Sequence, residues 1–295
     1  GPARNRVETV KELINEDRHV PLRDFVRWSK SQYYGNNSGN GRKSKLEGYE
    51  CYAQGWSLVW FLRTGAGKAR GWQKPWGEIL DKYLQAVGGA DRVAKLTSYT
   101  AKGTYSGYGP EGFPRPVEIY AKAPNQRAVI VRDKEAGDNT TVFSGTAAWV
   151  SAPFRPLAVM ELHGAELDSA RADAELMFPG NIKGALTNMR SSTDFINDRT
   201  VLAVQGNKGA ALVTLYFDEE TGLLTRTVRS TPSPVGRLPV QMDYSDFRDV
   251  AGVKLPFKWR MTWLDGRSNF ELTEVQPNVA IDATRYNRPG PPKPY

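Results

Sequence analysis

"GVKLPFKWRMTW", residues 252–263, sets Phe257, Trp259, Met261 and Trp263 on alternate positions, with Lys258, Arg260 and Thr262 between them. A strand of that period buries one large apolar face and turns a cationic one to water. The apolar face has three readings: plain core, a stacking platform for bases, or the wall of a pocket for an apolar ligand. A flat two-layer core would be lined mostly by Val, Ile and Leu. A row of Phe, Trp, Met and Trp instead fills a wide, irregular space, as the lining of a curved sheet does. Trp149, Leu215, Phe217, Met242 and Tyr244 are expected to join the same face. These nine residues are the candidate lining of a pocket, and for each of them core remains the competing reading.

Working outward, a period of two holds from about residue 97. Candidate strands are 98–106, 116–122, 127–132, 140–144, 147–151, 193–205, 211–217, 223–230, 238–247, 254–264 and 268–276. Turn-forming stretches such as "APNQ", "DEETG" and "LDGR" separate them. A helical interruption, "GAELDSARADAELMF" (164–178) and "NIKGALTNM" (181–189), falls between the fifth and sixth strands. No fixed-period repeat is present. The Pro-rich tail "NRPGPPKPY" lacks a core pattern and reads as an extended arm.

Residues 1–87 have a different grammar. "NRVETVKELINEDRHV" carries Val7, Val10, Leu13 and Ile14 at helical spacing, and "LRDFVRWSKSQYY" reads as a second short helix. "YECYAQGWSLVWFLRTG" is apolar nearly all round, which predicts a buried helix. Trp76, Ile79, Leu80, Tyr83, Leu84 and Val87 form an amphipathic stripe closed by Gly88-Gly89. The whole is α+β: an N-terminal helical module followed by a curved antiparallel sheet with covering helices.

Charge is concentrated at the start. The net charge is +8, and residues 1–87 hold 15 Lys/Arg against 9 Asp/Glu, so +6 of it lies there. Arg18, Arg23, Arg27, Lys30, Arg42, Lys43 and Lys45 are interleaved with Phe25, Trp28, Tyr33 and Tyr34. Cations that track phosphates beside aromatics that stack on bases are what a single-strand binder uses. The same segment also suits an acidic protein, an anionic lipid surface, or no partner at all. It contains no nucleic-acid motif, and nucleic acid is the least favoured of these partners. Five of the eight tryptophans fall in residues 1–87, and Trp and Arg together suit a docking surface.

Catalytic chemistry finds little support. Cys51 is the only cysteine, which excludes an internal disulfide, a Cys-based zinc site and a CxxCH haem attachment. It reads as a small buried residue on a helix. The best acid/base cluster is "ELHGAELD", with Glu161, His163, Glu166 and Asp168. Its competing reading is a solvated loop and helix start, with acidic groups near a positive helix terminus. "GTYSGYGPEG" (103–112) matches no phosphate-binding pattern. The longest apolar run, "LVWFL" (58–62), is far too short to span a membrane. The start "GPARNRVETV" has no apolar h-region, and Gly1-Pro2 reads as the scar of a cleaved tag.

Five stretches recur in family order: "DKYLQAVGGADRVAKLTSYTAKGTY", "PVEIYAKAPNQRAV", "VFSGTAAWV", "LYFDEETGLLTRTVR" and "YSDFRDVAGVKLPFKW". Over residues 81–288 they resemble the LolA/LppX-like lipoprotein-sorting half-barrel. More narrowly, they resemble the domain that accompanies acidobacterial cytochrome c subunits of photosynthetic-reaction-centre type. The resemblance implies a half-barrel whose concave face, closed by helices, holds lipid or another apolar ligand outside the cytoplasm. Residues 6–84, through "VPLRDFVRWSKSQYY", "YAQGWSLVWFLRTG" and "WGEILDKYL", more weakly resemble the C-terminal end of a peptidase-MA-like secreted family. That family's HExxH is missing here, since His19 and His163 are the only histidines, so no catalytic residue carries over.

The expectations are therefore a helical module over 1–87, a half-barrel over 88–288 and a tail over 289–295. The protein is expected to be non-catalytic and extracytoplasmic, with no cofactor and no bound metal. It would hold an apolar ligand or serve as an accessory subunit of an envelope or electron-transfer assembly. The alternatives are an inactive zinc-peptidase-like fragment and a binder of nucleic acid or anionic surfaces through 18–45.

Overall fold

The computed structural model describes residues 2–25, 48–63, 75–107, 113–153, 155–234 and 236–293. The chain divides into two compact units, 1–73 and 74–295.

In the first unit, helices α1 (Pro2–Asn15), α2 (Leu22–Phe25) and α3 (Gly48–Arg63) are described. Leu13, Val20, Phe25 and Cys51 share a small core. The Arg18 guanidinium donates to both carboxylate oxygens of Glu50 at 2.7 and 2.8 Å and to Glu16 at 3.1 Å. Helix α3 does not meet the expectation of burial on all sides. Cys51 and Ala53 are fully buried, but Tyr49, Tyr52 and Val59 are about half exposed within the unit. The Arg6 guanidinium lies over the Tyr52 and Trp56 rings, a use of exposed aromatics that apolarity alone does not reveal.

The second unit begins with the amphipathic helix α4 (Trp76–Ala86), followed by α5 (Ala90–Lys95). Ile79, Leu80, Tyr83 and Val87 of its stripe are buried against the sheet, so this helix belongs to the half-barrel unit rather than to the preceding helices.

Among the described residues, thirteen antiparallel strands follow. They are β1 (Ser98–Ser106), β2 (Arg115–Lys122), β3 (Gln126–Val131), β4 (Asn139–Phe143), β5 (Ala148–Ser151), β6 (Val159–Leu162), β7 (Thr187–Ile196), β8 (Arg199–Lys208), β9 (Ala211–Asp218), β10 (Leu224–Ser233), β11 (Gly236–Val250), β12 (Val253–Trp263) and β13 (Gly266–Pro277). Their spatial order is β6-β5-β4-β3-β2-β1-β13-β12-β11-β10-β9-β8-β7. Two meanders thus meet at the central β1–β13 pair, and β6 and β7 are the two edges. Register shifts at Lys102/Gly103 and Leu224/Arg226 bend the strands, as bulges do. The sheet is curved and unclosed, an α+β half-barrel.

Only one connection must pass from edge to edge, and it carries helix α6 (Gly164–Glu175). This helix therefore crosses the concave face, packing on β8–β10 from one meander and on β3 and β4 from the other. Ala172 and Ala174, both fully buried, let it approach the sheet closely.

Three expectations for this region need correction. Residues 181–189 are not helical: a 3₁₀ turn at Pro179–Asn181 leads into β7 from Thr187. Ile182, Ala185 and Leu186 are buried nonetheless, so their helix-like spacing reflects a packed turn. The single strand expected over 193–205 is a hairpin, folded at Asn197 and Asp198, both with positive φ. Strand β6 was not expected at all.

The C-terminal residues cross the other face of the sheet. Ser98 donates its hydroxyl to the Val279 carbonyl at 2.7 Å, and Ser151 donates to the Gly290 carbonyl at 2.9 Å. Between these anchors, Tyr286 is buried with Ala128 and Val142. The tail is thus fastened to the sheet at Gly290. Among the described residues no helix is long and apolar enough to cross a membrane.

Candidate functional site

Between the concave face and the C-terminal end of α6 lies a cavity with about 80 Å³ open to the centre of a water molecule. A single water needs roughly 10–15 Å³ on this measure, so the space admits a short chain or ring. Its walls come from β1–β3, β10–β13 and α4, with Leu176 and Met177 as a roof just beyond α6.

The opening stripe divides along its length. Phe257 is buried in the main core with Val253 and Leu255. Trp259 lines the cavity, stacked on Phe270 with centroids 4.9 Å apart and planes 13° from parallel. Met261 packs at the margin of the core. Trp263, half-buried at the hairpin end, folds back so that a Cβ on Gly266 would come within 2.6 Å of its ring.

Of the other expected lining residues, Met242 and Tyr244 do face the cavity. Leu215 and Phe217 are core, at 0% and 1% exposure. Trp149 lies on the opposite face: Ala148 packs toward α6 with Phe143 and Ala174, and its chain neighbour Trp149 joins Ala128, Val142 and Tyr286. The structure thus brings Trp259, Met242 and Tyr244 together and sets the rest elsewhere.

The cavity holds a small polar group. Tyr83 on α4, Tyr99 on β1 and Tyr244 on β11 all line it. Burial is the main cause that raises each phenol above its ordinary value, and Tyr244 is pushed up to about 12. The three phenols also raise one another's pKa, Tyr83 being affected by both Tyr244 and Tyr99. Tyr244 is held by Thr227 at 3.2 Å and by the Met242 sulfur at 3.7 Å. Asp173 at the cavity is already matched, by the Arg229 guanidinium at 3.0 and 3.1 Å.

Arg127 on β3 also lines the cavity. Pattern reading missed it because "RAVIV" looks like plain core. The available signal was parity: Arg127 shares a face with Val129 and Val131, both buried in the main core.

The tyrosines give a pH prediction. An unfolded phenol titrates near 10. The folded chain therefore holds the Tyr83, Tyr99 and Tyr244 protons more tightly than the unfolded chain does. Stability is fully present below about pH 10 and falls as pH climbs toward 12. Denaturant midpoints measured from pH 8 to 12 should be level to about 10 and then decline; a level profile throughout contradicts the buried cluster.

The other sequence candidates carry no comparable site. Glu161 and His163 are exposed at the edge strand and helix start, and the Asp168 carboxylate accepts from the Ala210 N–H at 3.0 Å. Among the described residues no three His, Cys, Asp or Glu side chains are grouped to hold a metal ion. In the basic segment, Arg18 is paired with Glu50 and Arg23 lies on α2. Arg27, Lys30, Arg42, Lys43 and Lys45 lie outside the described residues.

No protein-family model matches the chain. No curated protein matches it either. Among solved structures, a LolA superfamily protein from Nitrosomonas europaea is 14% identical, with 71% of this chain and 96% of that one covered and a TM-score of 0.47. A DUF1329 family protein from Desulfovibrio piger is 12% identical, covering 72% and 97%, with a TM-score of 0.48. A domain from Vibrio parahaemolyticus, titled as an outer membrane lipoprotein-sorting protein, is 8% identical, covering 71% and 95%, with a TM-score of 0.46.

Proposed function

We propose that this chain is a non-catalytic, extracytoplasmic half-barrel protein that holds an apolar, lipid-like ligand between its concave sheet face and α6. The observation that supports this reading is the cavity at Trp259, Met242 and Tyr244, left open where a closed core would be filled. Its walls offer no nucleophile beside a base and no pair of free carboxylates, the groups that covalent or acid–base chemistry requires. Native mass spectrometry of gently purified protein should show an adduct that organic extraction removes. Refilling with an apolar fluorescent probe should then be weakened about tenfold or more by Trp259→Ala. Bare protein that binds no apolar probe would overturn the reading.

A role as accessory subunit of an envelope assembly is the second reading. A stoichiometric protein found in the same mass spectrum would support it.

A further inference from the structure

Tyr99, Ala121 and Arg127 form one row across β1, β2 and β3, since Tyr99 pairs with Ala121 and Ala121 with Arg127. The middle position is fully buried and carries only a methyl group. Neighbouring strands are about 4.8 Å apart, so the arginine side chain has room to lean over Ala121 toward Tyr99. Its charge does act on the phenols of both Tyr99 and Tyr244.

Among the described residues no hydrogen bond or ion pair answers that charge. The Arg127 Nε is buried without a hydrogen-bond partner. Asp173, a carboxylate that lines the same cavity, is engaged by Arg229 through two hydrogen bonds. The Tyr83 and Tyr99 hydroxyls likewise make no hydrogen bond with another described residue. A guanidinium facing an apolar cavity without an anion is costly. Phenols that stay protonated can only help an acceptor there by donating.

Resting on the carrier reading above, we infer that the ligand carries an oxyanion on its apolar chain. Arg127 is its counter-cation, and the Tyr83 and Tyr99 hydroxyls are its hydrogen-bond donors. The chain lies along Trp259, Leu255 and Leu272, while the oxyanion sits at the end of the cavity bounded by Tyr99. A carboxylate and a phosphate monoester share the required chemistry.

The test compares decanoate, decyl phosphate and decan-1-ol, each displacing an apolar fluorescent probe from extracted protein at pH 8. At least one of the two anions should bind ten times or more tighter than the alcohol, and which one is preferred identifies the headgroup. Arg127→Met should bring that ratio close to one. Arg127→Lys, which keeps the charge, should retain most of the preference. The wild-type ratio needs no variant, so a misfolded substitution does not protect the inference. Equal binding of anion and alcohol by the wild type overturns it and leaves the carrier reading standing, as does a preference that survives Arg127→Met. Failure of all three ligands to displace a bound probe also overturns it, whereas extracted protein that binds no probe at all overturns the carrier reading.

Discussion

Gly88→Ala is expected to destabilise the half-barrel unit by on the order of 4 kcal/mol, from two effects that both act on backbone. Gly88 has φ of 135°, where an L side chain is strained. A Cβ there would also lie 2.2 Å from the Gly252 carbonyl oxygen and 3.2 Å from its carbon. No rotamer relieves a clash between Cβ and main chain. The contact is close because the end of α4 is docked on the β11–β12 hairpin, where the Lys254 N–H donates to the Val87 carbonyl at 2.8 Å. That hairpin turns on Ala251 and Gly252, both with positive φ, the pattern of a two-residue turn. Making room for one methyl group therefore means separating the helix from the sheet. Gly77→Ala is the control: its Cβ meets nothing within 4 Å, and in a helix the change should be neutral or stabilising by up to about 1 kcal/mol. Urea titrations of both variants check the contrast. A cost below about 1 kcal/mol for Gly88→Ala would mean that the helix end is not docked as described.

The parts of this fold that were legible in the sequence are those in which burial imposes a period. Ile79, Leu80, Tyr83 and Val87 announce one face of a helix, and Phe257 and Trp259 announce one face of a strand. Edge elements have no such constraint. Strand β7, "TNMRSSTDFI", is largely exposed, so nothing forces its residues to alternate, and from sequence its hairpin with β8 reads as a single strand. Strand β6 has only four residues, too few to establish a period. Trp149 shows a related limit. On a four-residue strand both parities are apolar, and only the packing of Ala148 against Ala174 decides which face the tryptophan takes. The site was less legible than the fold for a further reason. A cavity is defined by where side chains stop, so core and pocket wall demand the same residue types. What separates them is the unmatched polar group, and Arg127 could be found only by asking why a cation shares the parity of buried valines.

Phe217→Ala should lower stability by about 3–5 kcal/mol, with a thermal midpoint roughly 10 °C lower. Phe217 is 1% exposed, and its ring packs at 57° against Tyr83 with centroids 5.3 Å apart. It thereby joins β9 to α4. Truncation leaves a void between two elements that cannot collapse without also moving the docked end of α4. Trp259→Ala should behave differently although the residue removed is larger. Trp259 already borders open space, so its loss enlarges a cavity instead of creating one, and the expected cost is about 1–2 kcal/mol with the main effect on ligand affinity. Calorimetry and probe binding on the two variants therefore separate core from pocket wall. If Phe217→Ala cost less than about 1 kcal/mol, the region between β9 and α4 would have to be open as well. The cavity would then extend beneath α4, and a longer ligand chain would have a place to lie.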